Sequence, residues 1–202
     1  GGDDSHPPLS IKELFFEHLR PGDIYTHAFT ELKRRDPIVD LQTRKLKTFV
    51  PEAQKKGIVF DVGFGGASFD FRQAIPALKS AFYPNSISTD LHTGSMNSAM
   101  KNMLNIMSLF MAMGMPLHEV IKASTWNPAV EIQHPELGNL SVGSVADVAI
   151  LNLRKGAFGF WDREGYKLKG KYRLECEMTI RAGAIVYDLN GIAEPEIIKK
   201  TK

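Results

Sequence analysis

Cysteine is all but absent. Cys176 stands alone in 202 residues, which excludes an intrachain disulfide framework and a cysteine-built zinc site. No apolar run approaches the ~20 residues of a membrane span, and no basic start followed by an apolar core marks a secretory signal. An excess of one charge is lacking too. Lys and Arg number 25 against 23 Asp and Glu, so a net charge of +2 gives no case for nucleic acid or a membrane surface as partner. The expected location is the cytoplasm. The basic residues Lys33, Arg34, Arg35, Arg44, Lys45 and Lys47 read as a solvated loop, with a phosphate-binding patch as the alternative. Apolar residues make up 43% of the chain, which suffices for one or two domains with a real core. The chain opens Gly1-Gly2-Asp3-Asp4 with no methionine, and the expectation is that it is the C-terminal part of a longer protein.

What is present is a succession of short apolar runs that end in reactive or glycine residues. Ser10 with Glu13 forms a candidate capping box for a helix over 11–20, closed by Pro21-Gly22. Strands are predicted over 23–29, 58–63 and 86–91. Between them lie a long polar loop from Thr30 to Leu46, a helix over 47–56 with Gly57 as its C′ residue, and a helix capped by Ser68. That helix carries Phe71, Ala74, Ile75, Leu78 and Phe82 on one face, with a kink expected at Pro76. A helix over 97–113 aligns Met100, Met103, Leu104, Met107, Phe110 and Met111. Its methionines read as core filling, with a promiscuous binding groove as the lesser alternative. Another helix spans 117–124, and Asn127-Pro128-Ala129 starts a further turn. After Pro135 the periodicity becomes that of hairpin turns and short strands. The expected domains are 1–134, an α/β unit, 135–193, a small β-rich domain, and 194–202, a frayed tail.

Repeated strand–helix units with reactive side chains at strand ends suggest a parallel β/α enzyme. Asp90 is a catalytic base or metal ligand, or else a residue that caps the next turn. His27 is a ligand or a structural histidine. His92 shares strand parity with Asp90 and could contact a ligand or substrate. His6, His18, His118 and His134 read as surface groups. The turn Gly63-Phe64-Gly65-Gly66 could hold an oxyanion or phosphate on its N–H groups or simply join strand to helix. It lacks the Lys-Ser/Thr of a P-loop. Asp147 suits a hairpin turn better than catalysis.

Four stretches carry a resemblance: Gly22-Asp-Ile-Tyr-Thr-His27, Phe60-Asp-Val-Gly-Phe-Gly-Gly66, Ile87-Ser-Thr-Asp-Leu-His92, and Ala123-Ser-Thr-Trp-Asn-Pro-Ala129 followed by Leu137 to Asp147. Together they resemble the amidohydrolase superfamily of metal-dependent hydrolases, closest to its deacetylase group, which is related to dihydroorotases. The resemblance covers most of residues 10–188. It implies an α/β fold, the C-terminal part of a (β/α)8 TIM-type barrel (about strands six to eight), plus a small β-sandwich segment. It also implies that His27 is a metal ligand. Asp90 would be both metal ligand and catalytic proton acceptor, and Gly63, Phe64, Gly65 and His92 would be substrate contacts. The implied cofactor is a divalent metal, zinc by preference, with one or two ions in the whole enzyme. The family's other ligands, a His-x-His pair, a lysine and a fifth-strand histidine, are not in this sequence. A full barrel takes about 250 residues, so the missing partner is an N-terminal half, and the 202 residues alone are expected to be inactive. Phe64 stands where the group usually has histidine, a change expected to alter substrate choice or lower activity.

The expected activity is metal-dependent hydrolysis of a C–N bond (a non-peptide amide, deacetylase-like) or of an acyl ester in a small-molecule substrate. The alternative is a degenerate homologue that binds or scaffolds and has lost the chemistry. Assembly with further copies of the chain is left open.

Overall fold

The computed structural model describes residues 9–33 and 35–197. Gly1-Gly2-Asp3-Asp4, His6, Arg34 and the last part of the expected tail lie outside the described residues. The first helix changes pitch: α1 (Ile11–Glu13) runs on as a π-helical turn over Leu14–His18. The expected capping box does not form, since Ser10 makes no side-chain cap bond. The Ile11 N–H donates instead to Asp36 Oδ2 at 3.2 Å, a carboxylate 25 residues away.

β1 (Ile24–Tyr25) and β2 (Val59–Phe60) pair in parallel, Tyr25 opposite Phe60. A third segment lies along the other edge of β2. Asp61 bridges Ser86 in parallel, and the N–H groups of Val62, Phe64 and Gly65 donate to the carbonyls of Ser86, Ser88 and Thr89 at 3.0–3.2 Å. The sequence predicts longer strands. Regular pairing stops early because the chain turns into the left-handed region at the strand ends: His27 at φ 55, Gly63 at φ 48 and Asp90 at φ 47.

Helices fill the connections. α2 (Phe49–Lys56) ends at Gly57, whose φ of 106 is the left-handed conformation of a glycine C-cap. α3 (Phe71–Lys79) contains Pro76 and begins after Asp70, not Ser68. Its first N–H, that of Phe71, donates to Asp162 Oδ2 at 3.0 Å. α4 (Met103–Ala112) is capped by the Asn102 side chain, which accepts from Asn105 N–H. This helix starts later than the periodicity suggests. α5 (Leu117–Ser124) falls where predicted, and Asn127-Pro128-Ala129 lies inside α6 (Trp126–Glu131). No helix among the described residues is long and apolar enough to cross a membrane.

The last third is an antiparallel sheet in the order β3 (Val148–Trp161), β4 (Lys167–Arg181), β5 (Ala184–Asp188). Two strands are much longer than the short ones expected. Register shifts between Ile150 and Leu151 and between Lys155 and Phe158 interrupt the regular β3–β4 pairing. The sheet docks by sending Phe160 and Leu174 into the buried core and through polar contacts. Leu174 N–H donates to Ser108 Oγ at 2.9 Å on α4, and Arg163 in the β3–β4 turn donates to Asp70 at 3.0 Å. Burial pushes the Asp70 carboxyl up, against the pull of the Glu31 N–H and of Arg163.

The parallel strands have two unlike faces, as alternation requires. Tyr25 and Phe60 point into an aromatic cluster with Phe15 and Phe82, with ring centroids 4.9–5.8 Å apart. Met100, Met107 and Met115 are buried in the same core, as the filling reading of the methionines expects. Thr26, Asp61, Ser86 and Ser88 occupy alternate positions and form a polar layer. Glu131 reaches this layer from α6. Burial pushes its carboxyl up, the Ser86 hydroxyl pulls it down, and the nearby Asp61 charge adds to the rise.

A carboxyl raised in the folded state weakens folding once pH exceeds its folded value, and not below its unfolded value. Glu131→Gln is therefore expected to raise the melting temperature at pH 7 and to lose that advantage as pH falls through the ordinary carboxylate range. Melting curves of both proteins across pH 3–8 check this. A variant less stable than wild type at pH 7 contradicts it.

Candidate functional site

His27 sits just past β1, and Asp90 at the end of the segment beside β2. The loop that leaves β2 passes between them. His27 Nδ1 lies 2.5 Å from the Gly63 carbonyl. A carbonyl can only accept, so Nδ1 carries the hydrogen, and in the neutral ring Nε2 holds the lone pair. Nε2 lies 4.0 Å from Asp90 Oδ2. The His27 side chain is 28% exposed and that of Asp90 46%, so the pair lies open at the strand ends.

Two glycines make this approach feasible. A Cβ on Gly65 would sit 2.6 Å from Asp90 Oδ2, and one on Gly63 would overlap Thr26 Oγ1 and lie 2.8 Å from His27 Nδ1. Both have positive φ, 56 and 48, where a side chain is strained whatever the space. His27 and Asp90 adopt similar backbone without the excuse of being glycine. Strain of this kind persists only where the surroundings enforce it, and it clusters at functional sites.

The oxyanion or phosphate reading of the glycine turn meets an obstacle. The Gly63 N–H donates to Ser88 Oγ at 2.9 Å, and those of Phe64 and Gly65 donate to the Ser88 and Thr89 carbonyls. Three of the four N–H groups are thus committed to the neighbouring segment. The Phe64 ring is 1% exposed and stacks on Phe69 at 4.5 Å. It faces the core, whereas the sequence reading has it facing substrate. His92 is exposed. Its Nδ1 accepts from Gly94 N–H at 3.1 Å, so the hydrogen is on Nε2. The positive φ of Asp90 breaks the strand alternation that would put both side chains on one side.

The remaining candidates fall away from this place. Asp147 accepts the Ala182 N–H at 2.7 Å, a turn role. His18, His118 and His134 are exposed. Among the described residues of the basic loop, Arg44 meets Glu31 at 2.8 Å, Lys47 meets Asp36, and Arg35 covers the Tyr25 ring. Thr26, Asp61 and Ser88, which line the site from behind, escaped the sequence reading. Their alternation on strands was a usable signal, but small polar residues there resemble strand-edge solvation.

Among the described residues no group of three or more His, Cys, Asp or Glu could hold a metal ion. The two present suit one as partial ligands. A ligating histidine usually donates its other ring N–H to a carbonyl or carboxylate, as His27 does.

The model for the amidohydrolase family matches residues 26–199. A deacetylase of Brucella anthropi is 38% identical over 147 residues, which are 73% of this chain and 36% of the relative. The crystal structure of an adenine deaminase superposes with TM-score 0.82 at 30% identity, covering 90% of this chain and 48% of that one. The crystal structure of a dihydroorotase gives TM-score 0.77 at 30% identity, with coverage of 91% and 49%. The chain thus spans between about a third and a half of the length of these proteins.

Two substitutions test the geometry. Gly65→Ala combines a left-handed backbone, costing about 1–2 kcal/mol, with displacement of the Asp90 carboxylate. It is expected to lower both stability and any Asp90-dependent activity, and wild-type values for both contradict the close approach. Phe64→His puts an imidazole where no partner awaits it. Urea melts are expected to show a loss of about 1–3 kcal/mol, whereas unchanged stability means that the ring is not buried as described.

Proposed function

The chain belongs to the amidohydrolase family, and from that premise we propose that it carries part of the active site of a metal-dependent hydrolase. The proposed reaction is cleavage of a C–N bond in a small non-peptide amide, of the deacetylase kind, or of an acyl ester. The observation that carries this reading is the convergence of His27 Nε2 and Asp90 Oδ2 at 4.0 Å, with the histidine tautomer set by the Gly63 carbonyl. The deacetylase and dihydroorotase names among its relatives support a hydrolase.

His27 and Asp90 would hold a divalent ion, zinc by preference, since neutral imidazole and carboxylate suit it. Bound there, the ion would acidify a water and polarise the scissile carbonyl. Asp90 would take the proton from the attacking water and pass it to the leaving nitrogen or oxygen. Its partial exposure leaves room for both partners. The exposed His92, with hydrogen on Nε2, would donate to substrate at the rim, and Gly63, Phe64 and Gly65 would shape the floor through their backbone. The same premise makes residues 24–90 the sixth to eighth strands of a (β/α)8 barrel and the β3–β5 sheet one part of a sandwich. Exposed apolar residues on that sheet, among them Ile185, Val186 and Tyr187, fit a surface that further chain would cover. The other metal ligands would then come from the length of the relatives that this chain does not span.

The second reading, a binding protein that has lost its chemistry, rests on Phe64 in place of the group's usual histidine. One experiment separates them. In the whole protein, Asp90→Asn is expected to lower kcat on acyl amides about 100-fold or more while melting cooperatively near the wild-type temperature. Near-normal turnover removes Asp90 from the mechanism. A wild-type protein without turnover, whatever its metal content, favours the binding protein.

A further inference from the structure

Behind the His27–Asp90 pair lies a buried carboxylate with no assigned task. Asp61 is 8% exposed, and no cation pairs with it among the described residues. Three hydroxyls donate to it: Thr26 Oγ1 to Oδ2 at 2.6 Å, Ser88 Oγ to Oδ2 at 2.7 Å and Ser86 Oγ to Oδ1 at 2.9 Å. Burying a carboxylate is expensive unless its acceptor sites are filled. Here they are filled from both flanking strands. Thr26 belongs to the β1 run, Asp61 to the β2 run, and Ser86 and Ser88 to the third segment. One side chain therefore cross-links all three strand ends just beneath the open pair.

The links lead onward to the reactive groups. Thr26 is the residue before His27. Ser88 gives its hydrogen to Asp61, and its oxygen is thereby oriented to accept the Gly63 N–H at 2.9 Å. Gly63 in turn presents the carbonyl that holds His27 Nδ1. We infer that Asp61 is the positioning residue of this site: through Ser88 and Gly63 it sets the tautomer and direction of the His27 ring, and through Thr26 the backbone that carries it. The inference rests on the hydrolase reading only for its consequence in catalysis; the orientation of His27 is a property of the chain itself. Without Asp61 three buried hydroxyls lose their common acceptor. Ser88 Oγ is then free to turn from Gly63, and the carbonyl that polarises His27 drifts.

The test reads His27 directly, by long-range proton–nitrogen correlation of histidine-labelled, metal-stripped protein, with His27 assigned from the signal lost in His27→Gln. Wild type is expected to show the Nδ1–H tautomer with a slowly exchanging hydrogen. In Asp61→Ala, still melting cooperatively, the signal should become a tautomer mixture with exchange about tenfold faster or more. Metal affinity should fall by about 10–100-fold, as when a group orienting a ligand is removed. If Asp61→Ala does not fold, Asp61→Asn is read instead. Its amide keeps the size and one acceptor oxygen, and a partial shift of the His27 signal toward the mixture supports the inference. A His27 signal identical to wild type in a folded Asp61 variant overturns it, as does a wild-type His27 in the Nε2–H form. If wild type takes up no metal and hydrolyses nothing while Asp61 variants still disturb His27, the hydrolase reading fails and the positioning role stands.

Discussion

The hydrogen bond from His27 Nδ1 to the Gly63 carbonyl is the contact on which the site depends. It joins the end of one strand to the end of the next, and it decides which ring nitrogen has a lone pair to offer. For this bond to form, residue 63 must approach the ring more closely than a side chain would permit. Its N–H must also be satisfied elsewhere, which Ser88 does. A histidine on a free loop would sample both tautomers and several rotamers. Here the choice is made by the backbone of a neighbouring strand, before any ligand arrives.

The cost of this arrangement is visible along the backbone. His27 and Asp90 both hold positive φ, a conformation worth roughly 1–2 kcal/mol against a residue with a Cβ. The polar layer of Thr26, Asp61, Ser86 and Ser88 and the aromatic cluster beneath Tyr25 and Phe60 offset it. A further brace comes from the antiparallel sheet. Asp162 takes the first N–H of α3, while Arg163 binds Asp70 and the Ala67 carbonyl. Asp70 also accepts the Glu31 N–H at 2.7 Å. The loops that follow His27 and Gly65 are therefore pinned to one ion pair. Because that pair is mostly buried, it fixes geometry more than it adds stability.

Local signals in the sequence carried local structure well. Gly57 ends its helix as composition suggests, α5 falls where its periodicity puts it, and the order of strand and helix is the observed one. His27 and Asp90 stood out because each ends an apolar run, and the structure brings them together. What could not be read was supplied from a distance. The caps on α1 and α3 come from Asp36 and Asp162, 25 and 91 residues away, and no local pattern announces them. The strands are shorter than their apolar runs because positive φ at the reactive ends breaks the pairing. The family position of Phe64 suggests a substrate contact, yet its buried ring follows the simpler rule that a large apolar side chain goes to the core. Asp61 carries no local signal, because one carboxylate in an apolar strand has no partner within its own segment. Its three donors become neighbours only once the strands are side by side.

The most direct test of the central claim, that Gly63 and its neighbours hold His27 and Asp90 ready for one divalent ion, is calorimetric titration of zinc into the metal-stripped whole protein and its His27→Ala, Asp90→Ala double variant. The expected result is tight binding in the wild type, lost in the variant while the fold persists. Equal zinc affinity in the two proteins, or none in the wild type, contradicts it.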